Sequence, residues 1–131
     1  MMFCKHPVFV YGSLMTGFGN NRLLTGYEGE ATSLVARYQM VSLGHFPALV
    51  QRIGLCEDPV VGELYHVDDQ TLRQLDLLEG VDHGFYKRVS LALECGRIAY
   101  VYVLNEEPHH RNFVGESVHD NDWRAYVARR T

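Results

Sequence analysis

The chain has 131 residues, 47% of them hydrophobic, with 12 Lys and Arg against 16 Asp and Glu, for a formal net charge of −4. That length and apolar content suffice for one domain with its own core, residues 1–131, and no Pro- or Ser-rich linker divides it. Scattered basic residues on a net negative chain argue against nucleic acid or an anionic membrane as the main partner, and no segment reads as a signal peptide or a bilayer span, so a cytoplasmic protein is expected.

In chain order, the first element is the apolar, β-branched run at residues 7–11, which reads as a strand. It breaks at Gly12-Ser13 and continues through Leu14, Met15, Thr16, Gly17 and Gly19, a glycine-rich loop whose main-chain N–H groups can approach a small anion without a side chain in the way. A short helix is expected at 20–24. The loop satisfies neither nucleotide signature: Gly17 is followed by Phe18 rather than by Lys with Ser or Thr, and Gly17-Phe18-Gly19 lacks the third glycine of the dinucleotide fingerprint. Ser13 has glycine on one side only, so it is not the elbow nucleophile of a hydrolase. On this reading a valine at Gly12 would obstruct the ligand directly.

Further strands are expected at 35–43, 47–50, 60–67, 85–94 and 97–104, with a helix at 69–79 capped by Asp68 or Asp69. In that helix Leu72 and Leu75 precede Glu79 by seven and four positions, which puts all three on one stripe facing a core or a pocket. A carboxylate held there loses solvation and rises toward the pKa a general acid or base needs; the plainer reading is a solvated last residue before Gly80. Alternation over 85–94 sets Phe85, Val89, Leu91 and Leu93 on one face and Tyr86, Arg88, Ser90 and Ala92 on the other, so Tyr86 is expected to point away from the more apolar side. Residues 106–121 read as a polar, mobile loop that covers or flanks the site, and 122–130 as a closing helix with Trp123, Tyr126 and Val127 on one face. Six strands and few helices make the fold class α+β with a curled mixed sheet.

Other reactive side chains carry weaker signals. Cys4, Cys56 and Cys95 are odd in number and far apart, which fits free thiols; Cys95 sits in a hairpin turn. Of seven histidines, only His109 and His110 are neighbours in sequence, so no metal or other cofactor is expected. His45, in the Gly44-His45-Phe46-Pro47 turn, is read as an ordinary turn residue, and Arg88 as a surface strand residue in a weak ion pair.

Two segments together, Val8-Phe9-Val10-Tyr11-Gly12-Ser13-Leu14 and Leu75-Asp76-Leu77-Leu78-Glu79-Gly80 followed by Tyr86-Lys87-Arg88, resemble the gamma-glutamyl cyclotransferase-like family, which includes gamma-glutamylamine cyclotransferases and AIG2-like proteins. Val61-Gly62-Glu63-Leu64-Tyr65 and the Tyr38 to Pro47 segment look like that family's middle strands, and the resemblance spans most of residues 7–104. It implies a small β-barrel with helices packed against it, and cyclisation of a small gamma-glutamyl amine or amino acid to 5-oxoproline. Glu79 would be the proton shuttle, and Tyr11, Gly12, Ser13, Leu14 and Tyr86 would hold the substrate. A non-catalytic module for a glutamyl metabolite and a gamma-glutamyl amidohydrolase are the alternatives. The leaving amine and the oligomeric state are marked by no motif.

Overall fold

The computed structural model describes residues 5–35, 38–51, 58–106, 116–118 and 120–130. Strand β1 (His6–Val10) is the centre of the larger sheet because its residues are apolar on both faces: Val8 and Phe9 are wholly buried. On one side it pairs antiparallel with β5 (Val61–Val67), in the register His6 to Val67 through Val10 to Glu63. On the other it runs parallel to β7 (Ile98–Leu104), with Val8 opposite Tyr100. Outside these lie β2 (Glu30–Ser33), antiparallel to β5, and β6 (Tyr86–Ala92), antiparallel to β7, giving the order β2-β5-β1-β7-β6.

The two outer strands then meet. Leu34 bridges Leu93, and hydrogen bonds run from Val35 N–H to Ala92 O and from Glu94 N–H to Ser33 O. The sheet thereby closes at one end, which consumes edge groups that would otherwise face solvent. A second, three-stranded sheet of β4 (Pro47–Val50), β3 (Gln39–Ser42) and β8 (Glu116–Ser117) stands against the first, its Met40, Ala48 and Leu49 wholly buried. The α+β class and the barrel-like curl expected from the sequence are both present.

Helix α1 (Asp69–Leu78) starts where Asp68 accepts a hydrogen bond from Thr71 N–H at 2.8 Å, an N-cap that satisfies a donor the helix leaves unpaired. Leu72 and Leu75 are its buried face. Helix α2 (Trp123–Arg129) is capped in the same way by Asp122 and buries Trp123 and Tyr126, with Val127 partly covered. Two short 3-10 turns complete the set, Gly19–Leu24 and Val81–His83. No helix among the described residues is long and apolar enough to cross a membrane.

Three sequence expectations change. The strand expected at 35–43 begins only at Gln39, and the polar β2 and the two-residue β8 were not foreseen. β2 reads Glu-Ala-Thr-Ser with no buried residue, so no apolar alternation announces it; its pairing with β5 holds it in place. The 106–121 segment contains β8 and, at its end, Asn121; residues 107–115, with His109 and His110, lie outside the described residues, as do Cys4 and Cys56. Cys95 is an exposed free thiol in the β6–β7 turn.

Asn121 ties the sheets together. It is wholly buried at φ 51°, donates through its side chain to Tyr38 O at 2.9 Å and Asp58 O at 2.8 Å, and accepts from Met40 N–H at 2.9 Å. Removing that amide leaves a buried donor and two carbonyls without it and places a Cβ-bearing residue in a left-handed conformation without local compensation. Asn121→Ala should therefore cost about 3 kcal/mol or more in urea unfolding. Asn121→Gly, which tolerates the backbone angle, should recover only a minor part; full recovery would assign the cost to backbone strain alone.

Candidate active site

The end of α1 fixes the backbone of one acidic residue at the edge of a cavity. Leu72 and Leu75 anchor the helix, and Glu79 follows as its C-cap, its N–H donating to Leu75 O at 2.9 Å. Gly80 then adopts φ 66° and ψ 33°, a left-handed cap that reverses the chain. Its carbonyl accepts from both His83 N–H and Phe85 N–H at 3.1 Å, which locks the return into β6. A Cβ at Gly80 would lie a tight 3.3 Å from Phe85 Cβ, and the left-handed angle is what calls for glycine there.

The loop after β1 is held from outside. Met15 N–H closes a turn on Gly12 O at 3.0 Å. Asn20 donates to Ser13 Oγ and Asn21 to Leu14 O, both at 2.8 Å. Glu63, on β5, accepts from Thr16 N–H at 2.8 Å, from Thr16 Oγ1 at 3.1 Å and from the Tyr65 hydroxyl at 3.0 Å. The N–H groups of Gly12, Ser13 and Leu14 find no acceptor among the described residues, which leaves three main-chain donors for a ligand.

Gly12 itself is required for a reason different from the one its loop suggests. A Cβ there would stand 2.7 Å from Pro47 Cγ and 2.8 Å from Pro47 Cδ, so a side chain meets the β3–β4 turn. The expectation that valine at this position blocks the ligand directly is corrected: it displaces Pro47.

Loop and helix end meet around one cavity of about 470 Å³, within the usual size of small-molecule sites. All six residues singled out from the sequence line it: Tyr11, Gly12, Ser13, Leu14, Glu79 and Tyr86. Glu79 is partly buried, and loss of solvation pushes its carboxyl up to about 7. The carbonyl end of the α1 dipole acts in the same direction. Tyr11 and Tyr86 are held far above the ordinary phenol value by burial first and then by the charges around them, Glu79 among them. Each spends its proton on a main-chain carbonyl, Tyr11 on Tyr102 O at 2.5 Å and Tyr86 on Pro47 O at 2.6 Å. Both rings are therefore fixed; the Tyr11 oxygen also accepts from the Leu49 main-chain N–H, and toward a ligand the Tyr86 hydroxyl oxygen is an acceptor.

Tyr86 departs from its expected environment, since it is buried at 5% exposure while Val89 and Leu91 on the supposedly apolar face are only half-buried. The reason is local: Tyr86 begins β6 against Pro47, the first residue of β4 in the second sheet. Arg88 pairs with Asp76 at 2.7 Å and lies over the Tyr100 ring, and exposed His45 is absent from the lining. Ser13 Oγ has the Asn20 amide as its partner, not a base.

Residues the sequence reading did not single out also line the cavity: Asn20, Phe46, Pro47, His83, Phe85 and Tyr102. Phe46 and Pro47 were visible as part of a turn, but the turn's approach to Gly12 is a contact between distant segments. Among the described residues no group of three His, Cys, Asp or Glu is placed to hold a metal ion.

A desolvated carboxyl and a loop of main-chain N–H groups line one cavity on a curled mixed barrel, an arrangement suited to a small anionic ligand. The profile of the family described as gamma-glutamyl cyclotransferase, AIG2-like, matches residues 8–125. The chain belongs to that family. It is 38% identical over 96 residues to the gamma-glutamylcyclotransferase family protein ytfP of Citrobacter rodentium, covering 73% of this chain and 79% of that one. It is 38% identical over 97 residues to the gamma-glutamylaminecyclotransferase of Bos taurus, covering 67% of this chain and 57% of that one. The crystal structure of an AIG2-like protein from Mus musculus superimposes with a TM-score of 0.69 at 24% identity, over 86% of each chain.

Proposed function

We propose that this protein cyclises a gamma-glutamyl amine or gamma-glutamyl amino acid to 5-oxoproline and releases the amine, with Glu79 as the acid–base group. The observation that carries this reading is the meeting of Glu79, its carboxyl at about 7, with the three N–H donors of Gly12, Ser13 and Leu14 in one cavity.

The substrate brings its own nucleophile. Its alpha-amino nitrogen attacks the gamma-carbonyl carbon, a C–N bond forms, and the bond to the leaving nitrogen breaks. In sum two protons pass from the attacking to the leaving nitrogen. Glu79 takes the first from the alpha-ammonium and returns it to the departing amine; a carboxyl near 7 does both at neutral pH, where one near 4.5 is a poor acid. Holding the glutamyl chain bent is the larger task, since an oriented intramolecular attack is worth an effective molarity on the order of 10⁵ M or more. The loop donors suit the alpha-carboxylate or the developing oxyanion. The acceptor oxygen of Tyr86 suits an N–H group of the substrate.

The experiment is a 5-oxoproline assay with gamma-glutamyl amines and dipeptides across pH 5 to 9. Because the base form of Glu79 is needed, kcat/KM should fall about tenfold per pH unit below a midpoint near 7. An acid limb centred near the ordinary carboxylate value would remove Glu79 as the base. Release of glutamate in place of 5-oxoproline would favour the amidohydrolase, and ligand binding without either product would favour the binding module.

A further inference from the structure

The cavity is not uniform from floor to mouth. Its floor is buried: Tyr11, Leu14 and Tyr86 are 6%, 4% and 5% exposed, and this is where the loop donors lie. Its mouth is open and mainly apolar, with Phe46 at 38% exposure and Leu78 at 43%, beside the exposed His83. Three rings connect the two levels edge to face. Phe85 meets Tyr86 at 4.8 Å and 89°, and Phe46 meets Phe85 at 6.1 Å and 71°. Among the described residues, Glu79 and His83 are the only titratable side chains in the lining apart from tyrosines, and no lysine, arginine or aspartate joins them.

This gradient sets which end of a substrate goes where. With the alpha-carboxylate taken by the loop donors, the glutamyl end lies on the buried side of the cavity. The gamma-amide lies a short chain away, so its nitrogen substituent must leave along Phe85, Phe46 and Leu78. Resting on the cyclisation reading, we infer that the leaving group of the preferred substrate is an apolar amine carrying an aromatic ring, accommodated by Phe46 and Phe85 at the cavity mouth. Rings continue an edge-to-face ladder with favourable quadrupole contact, and an apolar group covers Phe46 and Leu78, which otherwise remain exposed to water. A leaving group with its own ammonium and carboxylate meets no lysine, arginine or aspartate among the described lining residues, and drawing those charges against Phe46, Phe85 and Leu78 costs solvation.

Three compounds test it: the gamma-glutamyl amides of benzylamine and of ethylamine, and gamma-glutamyl-ε-lysine. With 5-oxoproline as readout, kcat/KM for the benzylamide should exceed both others by about tenfold or more, the usual scale of apolar discrimination in a pocket. In Phe46→Ala the benzylamide-to-ethylamide ratio should fall toward one. A lysine compound turned over as well as the benzylamide, or a ratio unmoved by Phe46→Ala, overturns the assignment while leaving cyclisation intact. Should none of the three yield 5-oxoproline, the cyclisation reading falls, and calorimetric Kd values for the same compounds decide the mouth separately. Benzylamide binding about tenfold tighter supports an aromatic subsite, and equal Kd values overturn it.

Discussion

Glu79→Gln should lower kcat/KM by about a thousandfold or more, within the range of general acid–base contributions, while Kd for a gamma-glutamyl compound changes by less than about threefold. Glutamine keeps the size of the side chain and its place after the Leu72 and Leu75 stripe, but at neutral pH it neither takes nor returns a proton. The same substitution carries a second, opposite expectation for stability. Burial raises the wild-type carboxyl from 4.5 to about 7, so between those values the folded state binds more protons than the unfolded chain. By linkage, stability falls as pH rises through that window, and the full cost is present above it. A shift of this size corresponds to at most roughly 3 kcal/mol, and less here because Glu79 keeps some contact with solvent. Glu79→Gln lacks that slope. Urea unfolding should show the variant about 1–2 kcal/mol more stable than the wild type at pH 8, relative to any difference at pH 4. An inactive variant whose stability follows the wild type in parallel across pH would mean that Glu79 is solvated, and the desolvated proton shuttle would be lost with it.

Such a trade of stability for chemistry is local, and so was its trace in the sequence. Glu79 was legible because helical periodicity extends from Leu72 and Leu75 to a stop at Gly80, all within one stretch of chain. The loop after β1 was legible because a β-branched run breaks at glycine, and Asp68 because cap residues announce themselves. What escaped reading depends on contacts across the fold. β2 has no buried residue and exists because β5 offers an edge. Asn121, between turn-forming neighbours, looks like any loop asparagine until Tyr38, Met40 and Asp58 are brought around it. Tyr86 was placed near the ligand by resemblance, yet its strand alternation pointed the wrong way, because Pro47 of the second sheet stands against its end of β6. The cavity mouth is assembled from the β3–β4 turn, the end of α1 and the approach to β6, three segments with no common pattern.

The strongest of these long-range dependences joins Gly12 to Pro47, and it carries the second large effect. Gly12→Ala, the smallest possible change, should destabilise the protein by about 1–3 kcal/mol through overpacking. The added methyl would sit 2.7 Å from a ring atom of Pro47, which is itself buried and has little room to retreat. The displacement does not end there. Pro47 O accepts the Tyr86 hydroxyl at 2.6 Å, so moving the turn moves a wall of the cavity, and moving the loop shifts the N–H groups of Ser13 and Leu14. A displacement of about 1 Å in a positioned site can cost a hundredfold in rate. We therefore expect kcat/KM for Gly12→Ala to fall by about tenfold to a hundredfold, well beyond what the stability change implies for a protein still folded in the assay. Pro47→Ala removes the Cγ and Cδ atoms that the new methyl would strike, and in the double variant much of the loss should return. The coupling energy in that double-mutant cycle should reach about 1 kcal/mol or more in urea unfolding, with a parallel gain in turnover. Additive effects would instead mean that alanine at position 12 harms the loop without touching the turn, and that the two sheets do not shape the cavity through this contact.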